Sequence, residues 1–140
     1  MNVLYTAEGT AWGGRQGRAV SSDGNLAVDL VRPKELGGPG GAGTNPEQLF
    51  AVGYAGCFHS ALQLVARTEK IDITDSAVTV RISLAKDDAG AFAIVAEIEA
   101  EIPTVSREEA QALVEKAHAV CPYSNATRGN VNARLIVTES

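Results

Sequence analysis

Two cysteines, two histidines and a few arginines and carboxylates carry the chemistry open to this sequence. Cys57 lies inside Asn45 to Arg67, NPEQLFAVGYAGCFHSALQLVAR, the longest apolar segment, and Cys121 opens the stretch CPYSNATRGN. A buried free thiol is most often a small hydrophobe that packs inertly. Two thiols that meet in space have a further use: a peroxide oxidises one to a sulfenic acid, and the other captures it as a disulfide before over-oxidation. Distance along the chain does not decide whether these two meet. Reactivity also requires a thiolate, and Cys57 sits about three turns into a helical pattern, too far from its start for the helix dipole to lower the thiol pKa much. A cation is therefore needed, and Arg15, Arg18, Arg67 and Arg128 are the candidates. Glu47 is the candidate to orient it. On a straight helix Glu47 lies about 15 Å along the axis from Cys57, so it acts on an arginine reaching across that gap or on the site of a second subunit. Its other reading is a carboxylate favouring the helix N-terminus.

Other chemistries fit less well. Cys57, His59, His118 and Cys121 offer two sulfurs and two imidazoles, a zinc-type donor set. At about 100° per residue, however, Cys57 and His59 point to nearly opposite sides of one helix, although His118 and Cys121 can share a face. His59 reads better as a hydrogen-bonded packing residue. The glycine-rich segment Pro33 to Thr44, PKELGGPGGAGT, lacks the Lys-Ser/Thr of a phosphate-binding loop, and Pro46 removes a donor at the following helix start. No Gly-x-Ser-x-Gly elbow is present to support a serine hydrolase.

The elements that must position these groups follow from periodicity. Val3 to Gly9, Gly17 to Ser21 and Asn25 to Val31 read as short strands, separated by Trp12-Gly13-Gly14 and Ser22-Asp23-Gly24 turns. The glycine-rich loop follows, and a loop this long is uncommon without a job. Asn45 is a suitable N-cap and Pro46 a suitable first helical residue, so a helix runs from Pro46 to Thr68. It is apolar on nearly every face and must be wrapped by a sheet or a second subunit. Ala77 to Leu84 and Phe92 to Ile102 alternate as half-buried strands joined by an Asp87-Asp88-Ala89-Gly90 turn, an antiparallel hairpin. Ser106 and Glu109 form a capping-box pair opening a second helix that Pro122 stops; Tyr123 to Asn130 reads as a polar turn, and Val131 to Thr138 as a last strand.

Bulk properties set the frame. A chain of 140 residues fits one domain, residues 1–140, and a net charge of -5 argues against nucleic acid and anionic membranes as partners. Leu49 to Ala66 approaches membrane-span length, but it includes His59, Ser60, Gln63 and two glycines without a basic flank, so a buried helix is expected rather than a span. The N-terminal residues lack the basic segment and long apolar run of a secretory signal, which makes the cytoplasm the expected compartment. Cysteines in a reducing compartment more often do redox or catalytic work than structural stapling.

Four stretches carry a resemblance to a known family: GGRQGR at Gly13 to Arg18, PKELGGPGGAGTNPEQLFAVGYAGCFHSAL at Pro33 to Leu62, the cap SREEA, and CPYSNATRGN at Cys121 to Asn130. With these the chain resembles the organic hydroperoxide resistance branch of the Ohr/OsmC superfamily over nearly its whole length. The resemblance implies an α+β, OsmC-like fold: antiparallel sheets wrapped around a long buried central helix, in an intertwined homodimer with two sites at the subunit interface. It further implies a thiol peroxidase with Cys57 as the peroxidatic cysteine, Cys121 as the resolving cysteine, Arg15 as the activating cation and Glu47 as its carboxylate partner. The implied substrate is an organic hydroperoxide, and the implied reductant is a dihydrolipoyl-type dithiol or a lipoylated protein, with no metal, flavin or haem cofactor. Leu36, Phe50 and Phe92 are apolar candidates for selecting the peroxide. Trp12 is bulkier than the small polar residue expected beside the GGR motif. Two rivals remain on the residues alone, a non-enzymatic module binding an apolar ligand and the zinc site described above.

Overall fold

The computed structural model describes residues 1–138. The chain divides into two compact units, Met1–Leu49 and the remainder from Phe50.

In the first unit, β1 (Gly9–Trp12), β2 (Arg18–Ser21) and β3 (Ala27–Asp29) form an antiparallel sheet in the order β1-β2-β3. The expected first strand, Val3 to Gly9, is displaced. Gly9 pairs with Ser21, the last residue of β2, so residues before Gly9 run past the end of their only partner and have no ladder to join. Trp12 pairs with Arg18, and the connection between them holds a single 3-10 turn, Gly14–Gln16. Only glycine fits at position 17, where a Cβ would stand 1.7 Å from the Trp12 carbonyl oxygen. The third strand is shorter than expected because Leu30 leaves the sheet to bridge Thr44 in parallel.

That bridge gives the glycine-rich segment its purpose. The Gly38 and Gly40 amides donate to Pro33 and Arg32, the Thr44 amide donates to Asp29, and the segment is thereby folded back on the end of β3. Gln16 accepts from the Arg32 amide at 2.9 Å, tying the Gly14–Gln16 turn to the same frame. The chain then enters α1 (Pro46–Thr68), whose first turn is capped by Asn45 accepting from the Gln48 amide at 2.8 Å.

In the second unit, β4 (Ala77–Lys86) and β5 (Phe92–Glu101) pair antiparallel, as their alternation predicts. The sheet is completed by β6 (Asn132–Thr138), which pairs parallel to β5, so this sheet is mixed rather than antiparallel throughout. The helices α2 (Arg107–Val120) and α3 (Pro122–Thr127) make the crossover between β5 and β6, and a crossover carries the chain back to enter in the same direction. The Ser106 hydroxyl caps α2 by accepting from the Glu109 amide.

The core joins Tyr54, Phe58 and Leu62 of α1 to Ile98 of β5 and to Leu113 and Val114 of α2. Glutamates take the opposite face of the sheet, where Arg81 meets Glu97 and Glu99 and Arg134 meets Glu97. Five residues of α1 are buried, Tyr54, Phe58, Ala61, Leu62 and Ala66, whereas Val52 is 74% exposed. By length and composition α1 is apolar enough to cross a membrane; its inner stripe is instead spent on this core.

Candidate active site

Each of the two residue pairs expected from the sequence is brought together within one unit. In the first unit, Arg15 sits in the turn closing β1 and β2, and Glu47 occupies the first turn of α1. Arg15 Nη1 donates to Glu47 Oε2 at 2.8 Å and Nη2 to Oε1 at 2.5 Å, a bidentate fork. Both side chains are mostly covered, with relative exposures of 28% and 17%. The Arg15 guanidinium holds the Glu47 carboxyl below the usual carboxylate range. Arg18, the neighbouring candidate, belongs to β2.

In the second unit, the Sγ atoms of Cys121 and Cys57 lie 3.6 Å apart, both as free thiols. Cys57 is half-buried on α1, and Cys121 is fully buried at the junction of α2 and α3. A disulfide needs the sulfurs at about 2.05 Å, so closing one requires only about 1.6 Å of further approach. Burial pushes the Cys57 thiol pKa up, the backbone N–H of Tyr123 pulls it down by hydrogen bonding to the sulfur, and the adjacent Cys121 pushes it up again. The thiol therefore rests in its protonated form unless a cation is brought to it.

Tyr123 is in the first turn of α3, a helix that the sequence reading takes for a polar turn. The available signal is Pro122 placed directly after Cys121, the preferred position for proline at the first residue of a helix, with no glycine until Gly129. Missing α3 also hides what fixes it. Ser124, fully buried, lies 2.8 Å from Tyr54 Oη on α1 and 2.8 Å from His118 Nδ1 on α2. Burial, aided by the nearby Arg128, lowers the His118 pKa. A neutral His118 accepts the Ser124 hydroxyl proton at Nδ1, and Ser124 Oγ is then free to accept from Tyr54, so every proton in the chain has an acceptor. The Phe50, Tyr54 and Tyr123 rings pack as a cluster with centroids 5.6 to 6.0 Å apart.

The imidazoles thus have hydroxyl partners, His118 with Ser124 and His59 Nε2 with Ser76 at 2.9 Å. Among the described residues no three His, Cys, Asp or Glu side chains gather as a metal-binding group. A cavity of about 390 Å³ opens beside Cys57, walled by Ser60, Ala61, Leu64, Val120 and Pro122. Arg128 is engaged elsewhere, donating to Asn125 and to the His118 carbonyl. Phe92 is 74% exposed and Leu36 lies in the first unit on a 3-10 turn, so neither lines this cavity.

Comparison with known proteins agrees with this arrangement. The family model described as OsmC-like protein matches residues 38–135. An organic hydroperoxide resistance protein from Xanthomonas axonopodis pv. citri (strain 306) is 53% identical over 134 residues, spanning 95% of this chain and 94% of that protein. The chain belongs to the OsmC-like family, in its organic hydroperoxide resistance branch. Solved members of the branch share its fold. The protein from Elizabethkingia anophelis, with crystallant-derived thiocyanate bound, superposes with a TM-score of 0.94 at 47% identity, covering 100% of both chains. One from Vibrio cholerae O1 biovar eltor str. N16961, with captopril bound in one of its active sites, gives 0.91 at 44% identity, covering 98% of this chain and 94% of that one. The OsmC-like α+β fold expected from the sequence is the fold observed.

Proposed function

We propose that the chain is a cysteine peroxidase that reduces organic hydroperoxides to alcohols, acting as one functional domain in a homodimer within the reducing cytoplasm. The observation that carries this reading is the 3.6 Å separation of two reduced thiols, one beside an open cavity and one fully buried behind it. Relatives named for organic hydroperoxide resistance supply the substrate class.

The Cys57 thiolate attacks the distal oxygen of the hydroperoxide. An S–O bond forms, the O–O bond breaks, and the departing alkoxide takes a proton to leave as the alcohol. Cys121 then attacks the sulfur of the Cys57 sulfenic acid; an S–S bond forms, the S–O bond breaks, and water leaves with the proton from the Cys121 thiol. A dihydrolipoyl-type dithiol, free or on a lipoylated protein, returns both thiols by exchange and is itself oxidised to its cyclic disulfide. Because burial favours the Cys57 thiol over the thiolate, the reaction requires a cation, and Arg15, oriented by the Glu47 fork, fills that role.

Steady-state consumption of cumene hydroperoxide with dihydrolipoamide tests this reading against hydrogen peroxide as the competing substrate. Turnover of cumene hydroperoxide with the higher kcat/KM supports it. Absence of turnover, with both thiols still titratable after exposure to peroxide, rejects it in favour of an apolar-ligand binding module.

A further inference from the structure

Arg67 is the charged side chain that lines the cavity beside Cys57, and the peroxidase cycle leaves it unused. Cys57, Ser60, Ala61, Leu64 and Arg67 share one stripe of α1, at the three- and four-residue spacing that stacks side chains on a single helix face. Val120 and Pro122 supply the facing wall from the junction of α2 and α3. The cavity is thus a trench along the helix, with a thiol at one end and a guanidinium at the other. Their Cα positions are about 15 Å apart along the axis, and helical side chains lean towards the N-terminus, so Arg67 reaches back towards the thiol. Between them Ala61, Leu64, Val120 and Pro122 offer an apolar floor and wall.

The charge on Arg67 is uncommitted. Among the described residues it has no ion pair and no side-chain hydrogen bond. Lys116 lines the adjoining groove, which shares Leu64 and Val120 with the trench, but Glu69 already neutralises it at 2.8 Å. An anion whose apolar chain lies over Leu64 and Val120 therefore meets one free cation, and a guanidinium takes a carboxylate through two parallel hydrogen bonds.

We propose that Arg67 binds the carboxylate of a hydroperoxide that carries its acid group at the far end of an apolar chain, so that the trench prefers fatty-acid hydroperoxides to their neutral esters. This rests on the peroxidase reading for the chemistry at Cys57, while the carboxylate site itself stands on the trench and its cation. Arg67 is a specificity residue and touches no reacting atom.

The test compares linoleic acid hydroperoxide, its methyl ester and cumene hydroperoxide on the wild-type chain and on Arg67→Gln. The wild type should favour the acid over the ester by about tenfold in kcat/KM. In R67Q that ratio should fall towards unity through KM, with kcat and the turnover of cumene hydroperoxide unchanged. Added salt should narrow the wild-type preference. An acid-to-ester ratio that is the same in both proteins overturns the proposal. Calorimetric binding of linoleic acid and its methyl ester to both proteins, below micelle-forming concentrations, separates this site from the peroxidase reading. A preference for the acid that disappears in R67Q supports the carboxylate site even without peroxide turnover; no preference in the wild type sinks it whatever the turnover.

Discussion

At the scale of single residues, the thiol and its environment pull in opposite directions. Cys57 is partly desolvated beside Cys121, and both push its pKa above the ordinary cysteine value, against a single opposing N–H from Tyr123. A peroxidatic cysteine needs the reverse, and the fork between Arg15 and Glu47 is the available means of providing it. Replacing Arg15 with alanine should raise the Cys57 pKa further, and Glu47→Gln should do so by a smaller amount, because the guanidinium remains but loses its orientation. Following thiolate absorbance during an alkaline titration checks both, and a Cys57 titration unchanged in Arg15→Ala would remove Arg15 from the mechanism. The raised pKa also has a consequence for stability. The folded, reduced chain holds this proton more tightly than the unfolded chain does, so the contribution is fully present below the ordinary cysteine pKa and is lost as pH rises through the raised one. Urea unfolding of the reduced protein across the alkaline range should show that loss, and Cys57→Ser should lack it.

At the scale of elements, the site depends on α3, the short helix that turns its first amides towards Cys57. Ser124 clamps it, with one hydroxyl satisfying Tyr54 on α1 and His118 on α2. Ser124→Ala leaves two buried polar groups without a partner, which should cost about 1–3 kcal/mol in urea-unfolding free energy. Tyr54→Phe removes the hydroxyl together with its need for a partner and should cost less. Equal costs for the two variants would contradict the clamp. Much of this level was legible in advance: Asn45, Pro46 and Ser106 mark the two longer helices, and the alternation from Val78 to Leu84 and from Ile94 to Ala100 marks the core face of the hairpin. What escaped was decided by partners distant in sequence. Residues before Gly9 have strand character but no opposing strand beyond Ser21, and β6 pairs parallel because a helical crossover precedes it. The polar composition of Tyr123 to Thr127 conceals a helix whose inward face is a hydroxyl network rather than an apolar stripe. Likewise, Arg15 could be singled out from four arginines by family resemblance but not by spacing, since its pairing with Glu47 depends on the glycine-rich segment folding back at Leu30 and Thr44.

At the scale of the whole molecule, the second unit leaves large apolar groups without cover. Val52 on α1 and Phe92 on β5 are each 74% exposed, and a helix as apolar as α1 retains an outer face that its own sheet does not bury. Exposure of this kind marks an interface, and a homodimer is the assembly proposed. Light scattering at micromolar concentration should give the mass of two chains. Val52→Asp should shift the population towards the mass of one and lower peroxidase turnover with it. A wild-type protein that remains a single chain at all concentrations while turning over peroxide would contradict the dimer.

The central claim is that Cys57 is oxidised by an organic hydroperoxide and captured by Cys121 within the same chain. Its most direct test is intact-mass and peptide analysis after the reduced protein meets one equivalent of cumene hydroperoxide. The account predicts loss of two thiols, an intramolecular Cys57–Cys121 disulfide, no reaction in Cys57→Ser, and a sulfinic acid on Cys57 in Cys121→Ser once peroxide is in excess. Unmodified Cys57 in the wild type, or the same peroxide consumption in Cys57→Ser, would contradict it.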